Sequence, residues 1–159
     1  MKNIKIILLF VFLAGILSTC KKYPEGPIIS FKTKMARVVG SWNIGKYTVN
    51  GSDSTQALLS RVPCERPMRF EKPKGGNVVC YFVCSGAISI DGLWSFEGNK
   101  EKLHIKNYAD TAIKVAFPPI SLSPNSPRYI NWDIIRLTNK EMWLKVNYNN
   151  AEYYVELKR

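Results

Sequence analysis

The chain has 159 residues, with 23 lysines and arginines, 12 aspartates and glutamates and a single histidine, giving a net charge of +11. This length allows one domain with one modest hydrophobic core. The cysteines do not have the spacing of a metal site, because Cys80 and Cys84 have no second cysteine pair and no histidine nearby. The sequence therefore predicts no metal site and no cofactor.

The first segment has the pattern of an export signal. Lys2 and Lys5 precede an almost wholly apolar run, Ile6–Leu17, which is short for a membrane span. The run ends in Leu17-Ser18-Thr19-Cys20, which resembles the lipobox of bacterial lipoproteins. This resemblance implies that the signal peptide is removed and that Cys20 carries a diacylglyceryl group and an N-linked acyl chain such as palmitate. An ordinary secretory signal with an incidental cysteine is the alternative.

Three segments follow from this interpretation: a signal peptide at 1–19, a lipid-anchored linker at 20–36 and one domain at 37–159. Prolines and a glycine predict that the linker is extended. Basic residues outnumber acidic ones from the linker to the start of the domain. The acidic residue of this stretch is Glu25, and the basic residues are Lys21, Lys22, Lys32, Lys34 and Arg37. A basic linker beside a lipid suits an anionic membrane face, and a merely solvated spacer is equally consistent.

The same interpretation predicts a location in the cell envelope, anchored to the outer membrane. In related lipoprotein systems an acidic patch after the cysteine can mark surface export, and Lys21-Lys22-Tyr23 lacks such a patch. The periplasmic face is therefore favoured, with surface exposure as the alternative. Loss of Lys2 and Lys5 with the signal lowers the net charge from +11 to +9, and export makes nucleic acid a poor partner.

From Val38 onward, apolar and polar residues alternate with the period of two that β-strands require. The apolar positions of this pattern include Ile88, Ile90, Trp94, Phe96, Leu103, Ile105, Ile113, Val115, Phe117, Ile130, Trp132, Ile134, Met142, Leu144, Val146, Tyr148, Tyr153, Val155 and Leu157. A two-residue turn at Asn99-Lys100 pairs Trp94 with Ile105 and Phe96 with Leu103. A second tight turn, at Asn149-Asn150, pairs Tyr148 with Ala151, Val146 with Tyr153, Leu144 with Val155 and Met142 with Leu157.

A longer loop around Pro73-Lys74-Gly75 is predicted to pair Phe70 with Val78 and Met68 with Cys80. This register sets Cys64 opposite Cys84 and predicts a cross-strand disulfide between them. Three buried thiols are the alternative.

Hairpins in succession form a meander, and a meander of about eight or nine strands avoids exposed edges best by closing. The fold class predicted is therefore all-β, an antiparallel up-and-down β-barrel. An immunoglobulin-like sandwich is the competing fold, and it is disfavoured because no Greek-key spacing is evident.

The segment RVVGSWNIGKYTV carries Gly40-Ser41-Trp42 on the first predicted strand. This motif, followed by a meander, resembles the lipocalin-like (calycin) superfamily. Together with CKKYPEGP and EMWLKV, it is similar to small lipocalin-like lipoproteins of Gram-negative bacteria. The resemblance implies that Trp42 packs across the closed end of the barrel and that the open end admits a small apolar ligand.

The inward positions are candidates for the ligand wall or for plain core. They include Trp42, Phe70, Phe82, Trp94, Phe96, Phe117 and Trp132. A short helical turn within Asn50–Ser60 would form a lid, and the loop Pro118–Pro127 would rim the mouth or simply connect two strands.

The outward residues Trp143, Lys145 and Tyr154 are candidates for contact with an envelope protein or a glycan, or for a pair that stabilises the sheet. His104 lies among lysines on the polar face, with no nucleophile near it. The sequence therefore predicts a binding protein rather than an enzyme. The predicted protein is a membrane-anchored lipoprotein that holds a small apolar ligand, or alternatively a filled barrel that docks through its outer surface.

Overall fold

The structure is a computed structural model that describes residues 23–25, 32–60, 68–72, 79–84, 87–107 and 129–159. Its elements in chain order are α1 (Lys34–Val38), β1 (Gly40–Val49), β2 (Ser52–Asp53), α2 (Thr55–Leu59), β3 (Met68–Glu71), β4 (Val79–Cys84), β5 (Ala87–Glu97), β6 (Lys102–Asn107), β7 (Tyr129–Leu137), β8 (Glu141–Tyr148) and β9 (Ala151–Lys158).

These strands form one antiparallel sheet, in which β3 to β9 follow one another in sequence order. β1 pairs with β3 from Gly40 to Trp42 and with β9 from Asn43 to Val49, so the order leads from β1 round to β9 and back to β1. Within the described residues, no residue of β1 pairs with both β3 and β9, whereas Thr48 and Val49 pair with β2 on one side and β9 on the other. The predicted all-β, up-and-down barrel is confirmed, because each strand after β2 lies beside its neighbour in the sequence and no Greek-key crossover occurs among them.

Two tight turns fix the register of the hairpins they join. Asn99 and Lys100 have φ values of 55° and 66°, and Asn149 and Asn150 have values of 49° and 60°. Positive φ at both central residues is the geometry of a type I′ turn, whose twist matches that of the flanking strands. All the cross-strand pairs predicted for these two hairpins are confirmed.

The register predicted for β3 and β4 is wrong by two residues. Phe70 pairs with Cys80 and Met68 with Phe82, so the connection between the two strands is longer than the sequence pattern indicated. A slip of two residues keeps each side chain on the same face, and apolar alternation therefore cannot detect it. The proposed disulfide loses its support, because it rested on this register. Cys64 lies outside the described residues, and the pairing with Cys84 stays a prediction.

Two short helices flank β1. Thr33 caps α1 by accepting a hydrogen bond from the Ala36 amide at 3.2 Å, and α1 begins two residues before the predicted end of the linker at 36. The chain then turns into β1 at Gly40, where φ is 133° and an added Cβ would lie 3.0 Å from an Arg159 nitrogen. The predicted helical turn within Asn50–Ser60 is present as α2.

Candidate functional site

One end of the barrel is covered by α1 and will be called the closed end. It is the end at which β1 begins and β3, β5, β7 and β9 finish; the opposite end will be called the far end. At the closed end, Trp42 is fully buried, and its indole nitrogen donates to the Val38 carbonyl at 2.8 Å. The buried Arg37 side chain donates to the Leu137 carbonyl at 2.6 Å, which joins α1 to the end of β7. Helix α1 is thus bonded to the barrel on two sides.

The C-terminal Arg159 completes this cover. Its guanidinium carbon lies 4.2 Å from the centre of the Trp42 ring, a cation–π contact. One guanidinium nitrogen donates to the Arg37 carbonyl at 2.8 Å and to the Val39 carbonyl at 2.6 Å. These carbonyls belong to the end of α1 and would otherwise lack intrahelical partners. Partial burial lowers the pKa of Arg159 from its ordinary value.

Aromatic side chains fill the interior next to the closed end. Phe70 and Trp94 meet edge to face with ring centres 5.7 Å apart, and Trp94 meets Phe96 at the same distance and a similar angle. The indole nitrogen of Trp94 donates to the Glu71 carbonyl at 3.2 Å. Trp132 is also fully buried. This part of the interior is packed core.

Along β8 and β9, the burial of inward side chains decreases toward the far end. On β8, Met142 and Leu144 are 0% exposed and Val146 is 9% exposed, while Tyr148 is half-buried. On β9, Leu157 and Val155 are fully buried but Tyr153 is half-buried. On these two strands, the inward side chains are therefore tightly packed near the closed end and more accessible near the far end.

The wall at the far end is apolar and aromatic. Tyr47 and Tyr153 stack with ring centres 6.4 Å apart. Ile130 is 5% exposed, and Val49 is half-buried against the core. Helix α2 lies beside this wall, where the Tyr47 amide donates to the Thr55 hydroxyl at 2.9 Å. These side chains could contact a small apolar molecule.

The structure places the predicted interior residues as follows. Trp42, Phe70, Trp94 and Trp132 are buried together in the core, and Phe96 is half-buried at its edge. Phe82 lies on β4 between Met68 and Ile90 of the neighbouring strands, and its side chain is not described. Phe117 and the loop Pro118–Pro127 lie outside the described residues, as does Cys20. Sequence reasoning missed Tyr47 and Tyr153 as a stacked pair. Period-two alternation marks Tyr153 as inward, whereas Tyr47 faces inward only because the register shifts between Ile44 and Lys46.

The predicted outward residues Trp143 and Tyr154 form a patch that contacts other side chains of the barrel. Trp143 and Tyr154 meet edge to face with ring centres 6.4 Å apart, and the Arg136 guanidinium lies 5.0 Å from the centre of the Trp143 ring. Arg136 also donates to the Glu25 carbonyl at 2.6 Å, and the Glu25 amide donates to the Ile135 carbonyl at 3.0 Å. The segment that precedes the barrel thus runs beside this patch.

Lys145, the third residue predicted for the outer contact, forms an ion pair with Glu152 at 2.5 Å. Burial and the nearby Glu156 carboxylate raise the pKa of Tyr154 well above its ordinary value. Lys145 and Tyr154 therefore have partners within the sheet itself.

His104 faces outward, where its Nδ1 lies 2.6 Å from the Asn131 side-chain oxygen and 3.1 Å from a Glu97 carboxylate oxygen. Within the described part of the chain, no three histidine, cysteine or acidic side chains come close enough to hold a metal ion. None of the helices in those same ranges is long and apolar enough to cross a bilayer.

No family model matches the chain, and no curated protein matches it. Among solved structures, the chain is similar to a lipocalin-like protein from Bacteroides uniformis, with a TM-score of 0.46 and 12% sequence identity, over 77% of this chain and 98% of that one. The strand order described above, a meander whose last strand pairs with its first, agrees with the up-and-down β-barrel that the sequence predicted.

Proposed function

We propose that this chain is a binding protein of the bacterial envelope, anchored by a lipid on Cys20, that holds a small apolar ligand in the far half of its barrel. The observation that carries the proposal is the gradient of burial along β8 and β9. Side chains at the closed end form packed core, whereas Val146 and Tyr153 are more accessible. A barrel of about eight strands has room either for its own side chains or for one small ligand. In this barrel, side chains would fill the half next to the closed end and the ligand would occupy the far half.

The chemistry of the far wall supports an apolar ligand. Ile130, Val49 and Val146 present aliphatic surface, and the stacked rings of Tyr47 and Tyr153 present aromatic faces. None of these five side chains is charged, so a charged group placed among them would lose hydration without gaining an ionic partner. The ligand class is therefore a hydrocarbon-rich molecule of small size.

The anchor rests on the lipobox-like sequence ending at Cys20 and on the basic residues after it. Multiple acyl chains hold a protein on a membrane much more firmly than one, since each buried methylene contributes about 0.8 kcal/mol. The outer membrane is the proposed location, with the barrel on its periplasmic side.

Titration with cis-parinaric acid, a fluorescent apolar probe, tests the cavity. We expect saturable binding to the native protein. Val146→Phe, which adds bulk to the far wall, should weaken it at least tenfold. Asn147→Ala is the matched control, because Asn147 is the next residue on β8 and is exposed. Thermal unfolding of both variants checks that each is folded.

Absence of saturable binding, or equal affinity in the two variants, would contradict a cavity at the far end. The alternative, docking through Trp143 and its neighbours, would then become the leading account. It is not favoured now, because Arg136 lies against the Trp143 ring and the segment at Glu25 runs beside it.

A further inference from the structure

The segment that follows Cys20 is fixed to the closed end of the barrel. The side chain of Tyr23 is 3% exposed, and its hydroxyl donates to the Lys100 carbonyl at 2.6 Å. The Lys34 ammonium lies 4.9 Å from the centre of the Tyr23 ring. Tyr23 is therefore packed between α1 and the β5–β6 turn. The hydrogen bonds of Glu25 to β7 hold the next part of the same segment.

This attachment limits how far the barrel can lie from Cys20. Three peptide units separate Cys20 from Tyr23, and an extended chain spans at most about 3.6 Å per residue. The Cα atom of Cys20 is thus within about 11 Å of that of Tyr23. The headgroup layer on each side of a bilayer is only about 5–8 Å thick. A lipid on Cys20 would therefore bring the closed end to the headgroups.

The charge of the closed end suits this position. Four separate segments place exposed lysines there, namely Lys32, Lys72, Lys100 and Lys140. Hydrogen bonds join two of these segments to neighbouring strands, since the Arg159 amide donates to the Lys140 carbonyl at 3.1 Å and the Ile134 amide to the Glu101 carbonyl at 2.9 Å. Glu101 is the acidic residue of the β5–β6 turn, and Glu71, Glu97 and Glu141 also lie at strand ends there. The tight turns of the far end, Asn50-Gly51 and Asn149-Asn150, carry no charge.

We infer that the closed end of the barrel rests on anionic lipid headgroups, with Tyr23 as the fixed point beside the anchor and the far end directed away from the membrane. This inference rests on the proposed acylation of Cys20 and adds an orientation to it. Lysines near an anionic surface bind it electrostatically, and the effect falls off within about one Debye length, roughly 8 Å at physiological salt. The ligand entrance would then open toward the aqueous side.

Lysine footprinting tests the orientation with native residues alone. The full chain, expressed with its signal and purified from the envelope, is reconstituted in vesicles of equal parts POPC and POPG. Acetylation rates with N-hydroxysuccinimide acetate are compared with those in detergent. We expect Lys100 and Lys140 to react at least fivefold more slowly on vesicles. Lys46 is the matched control, because it is exposed on β1 nearer the far end, and its rate should not change.

Four further results bear on the inference. Tyr23→Ala should remove the protection of Lys100 while vesicle flotation and the rate of Lys46 stay unchanged. Vesicles of POPC alone should protect Lys100 less, and equal protection would overturn the role of anionic headgroups. Equal slowing of Lys46 and Lys100 on a chain whose N-terminal peptide carries acyl mass would overturn the orientation alone. Absence of acyl mass would overturn the anchor itself, and the orientation with it.

Discussion

Arg159 is predicted to stabilise the closed end more than any other exposed side chain there. Replacing it with alanine removes two short hydrogen bonds to the carbonyls of Arg37 and Val39 and the contact with Trp42. A hydrogen bond from a charged donor contributes about 1.5 kcal/mol at the lower end of its range, and an exposed cation–π contact about 0.5–1 kcal/mol. Because Arg159 is itself exposed, we expect Arg159→Ala to lower the free energy of unfolding by about 2–3 kcal/mol.

Urea unfolding of residues 21–159, followed by circular dichroism, measures this loss. Lys158→Ala is the matched control, since Lys158 is the neighbouring exposed cation and its ion pair with Glu156 is long, at 3.6 Å; its loss should stay within about 0.5 kcal/mol. Arg159→Lys should recover about a third of the stability or less, because an ammonium lacks the planar group that lies over the Trp42 ring while one of its nitrogens donates to both carbonyls. A loss for Arg159→Ala no larger than that of the control would refute this account of the closed end.

Three more predictions concern other parts of the barrel. Trp132→Ala should lower the free energy of unfolding by about 3–5 kcal/mol, because it leaves a cavity in the core. Trp143→Ala should lower it by clearly less, because Trp143 is only half-buried. Urea unfolding measures both losses, and equal losses would contradict the burial described. Burial raises the pKa of Tyr23 to about 12, above the value of about 10 for an exposed tyrosine. The buried, neutral ring therefore contributes its full stability below pH 10, and this contribution is lost as pH rises from 10 to about 12. The ultraviolet difference titration between native protein and Tyr23→Phe should have a midpoint near 12, and a midpoint near 10 would mean that the ring is exposed. Hydrogen bonds from the Thr55 side chain and from the Thr55 amide, the latter at 2.8 Å, lower the pKa of the Asp53 carboxylate. The protection factor of the Thr55 amide, which corrects for the intrinsic pH dependence of exchange, should therefore fall as pH drops through that lowered pKa and in Asp53→Ala; an unchanged protection factor would count against this hydrogen bond.

The parts of the fold that the sequence predicted correctly are those fixed by local chemistry. At Asn99-Lys100 and Asn149-Asn150, a turn that requires positive φ leaves only one register in which apolar residues face one another. Between β3 and β4 the connection is longer and lacks such a turn. Phe70 pairs two residues away from its predicted partner, and alternation could not reveal the difference.

The parts that the sequence did not predict depend on contacts between distant residues. Tyr23 meets the Lys100 carbonyl across 77 positions of the chain, and Arg159 meets the Arg37 carbonyl across 122. No periodic pattern marks either residue, and one lies in a proline-containing linker while the other ends the chain. Helix α1 is only five residues long, too short for a helical period to stand out. The buried aromatic residues were predictable because alternation identifies the inward face of each strand.

Native mass spectrometry of the full chain, purified from its host's envelope in mild detergent, tests the central claim most directly. The account predicts a chain that begins at Cys20, carries the added mass of its acyl groups and retains a small apolar molecule that leaves on denaturation. A processed, acylated chain with no bound molecule in repeated preparations would contradict the carrier function and favour a docking role. A chain that lacks acyl mass on Cys20 would contradict the anchor.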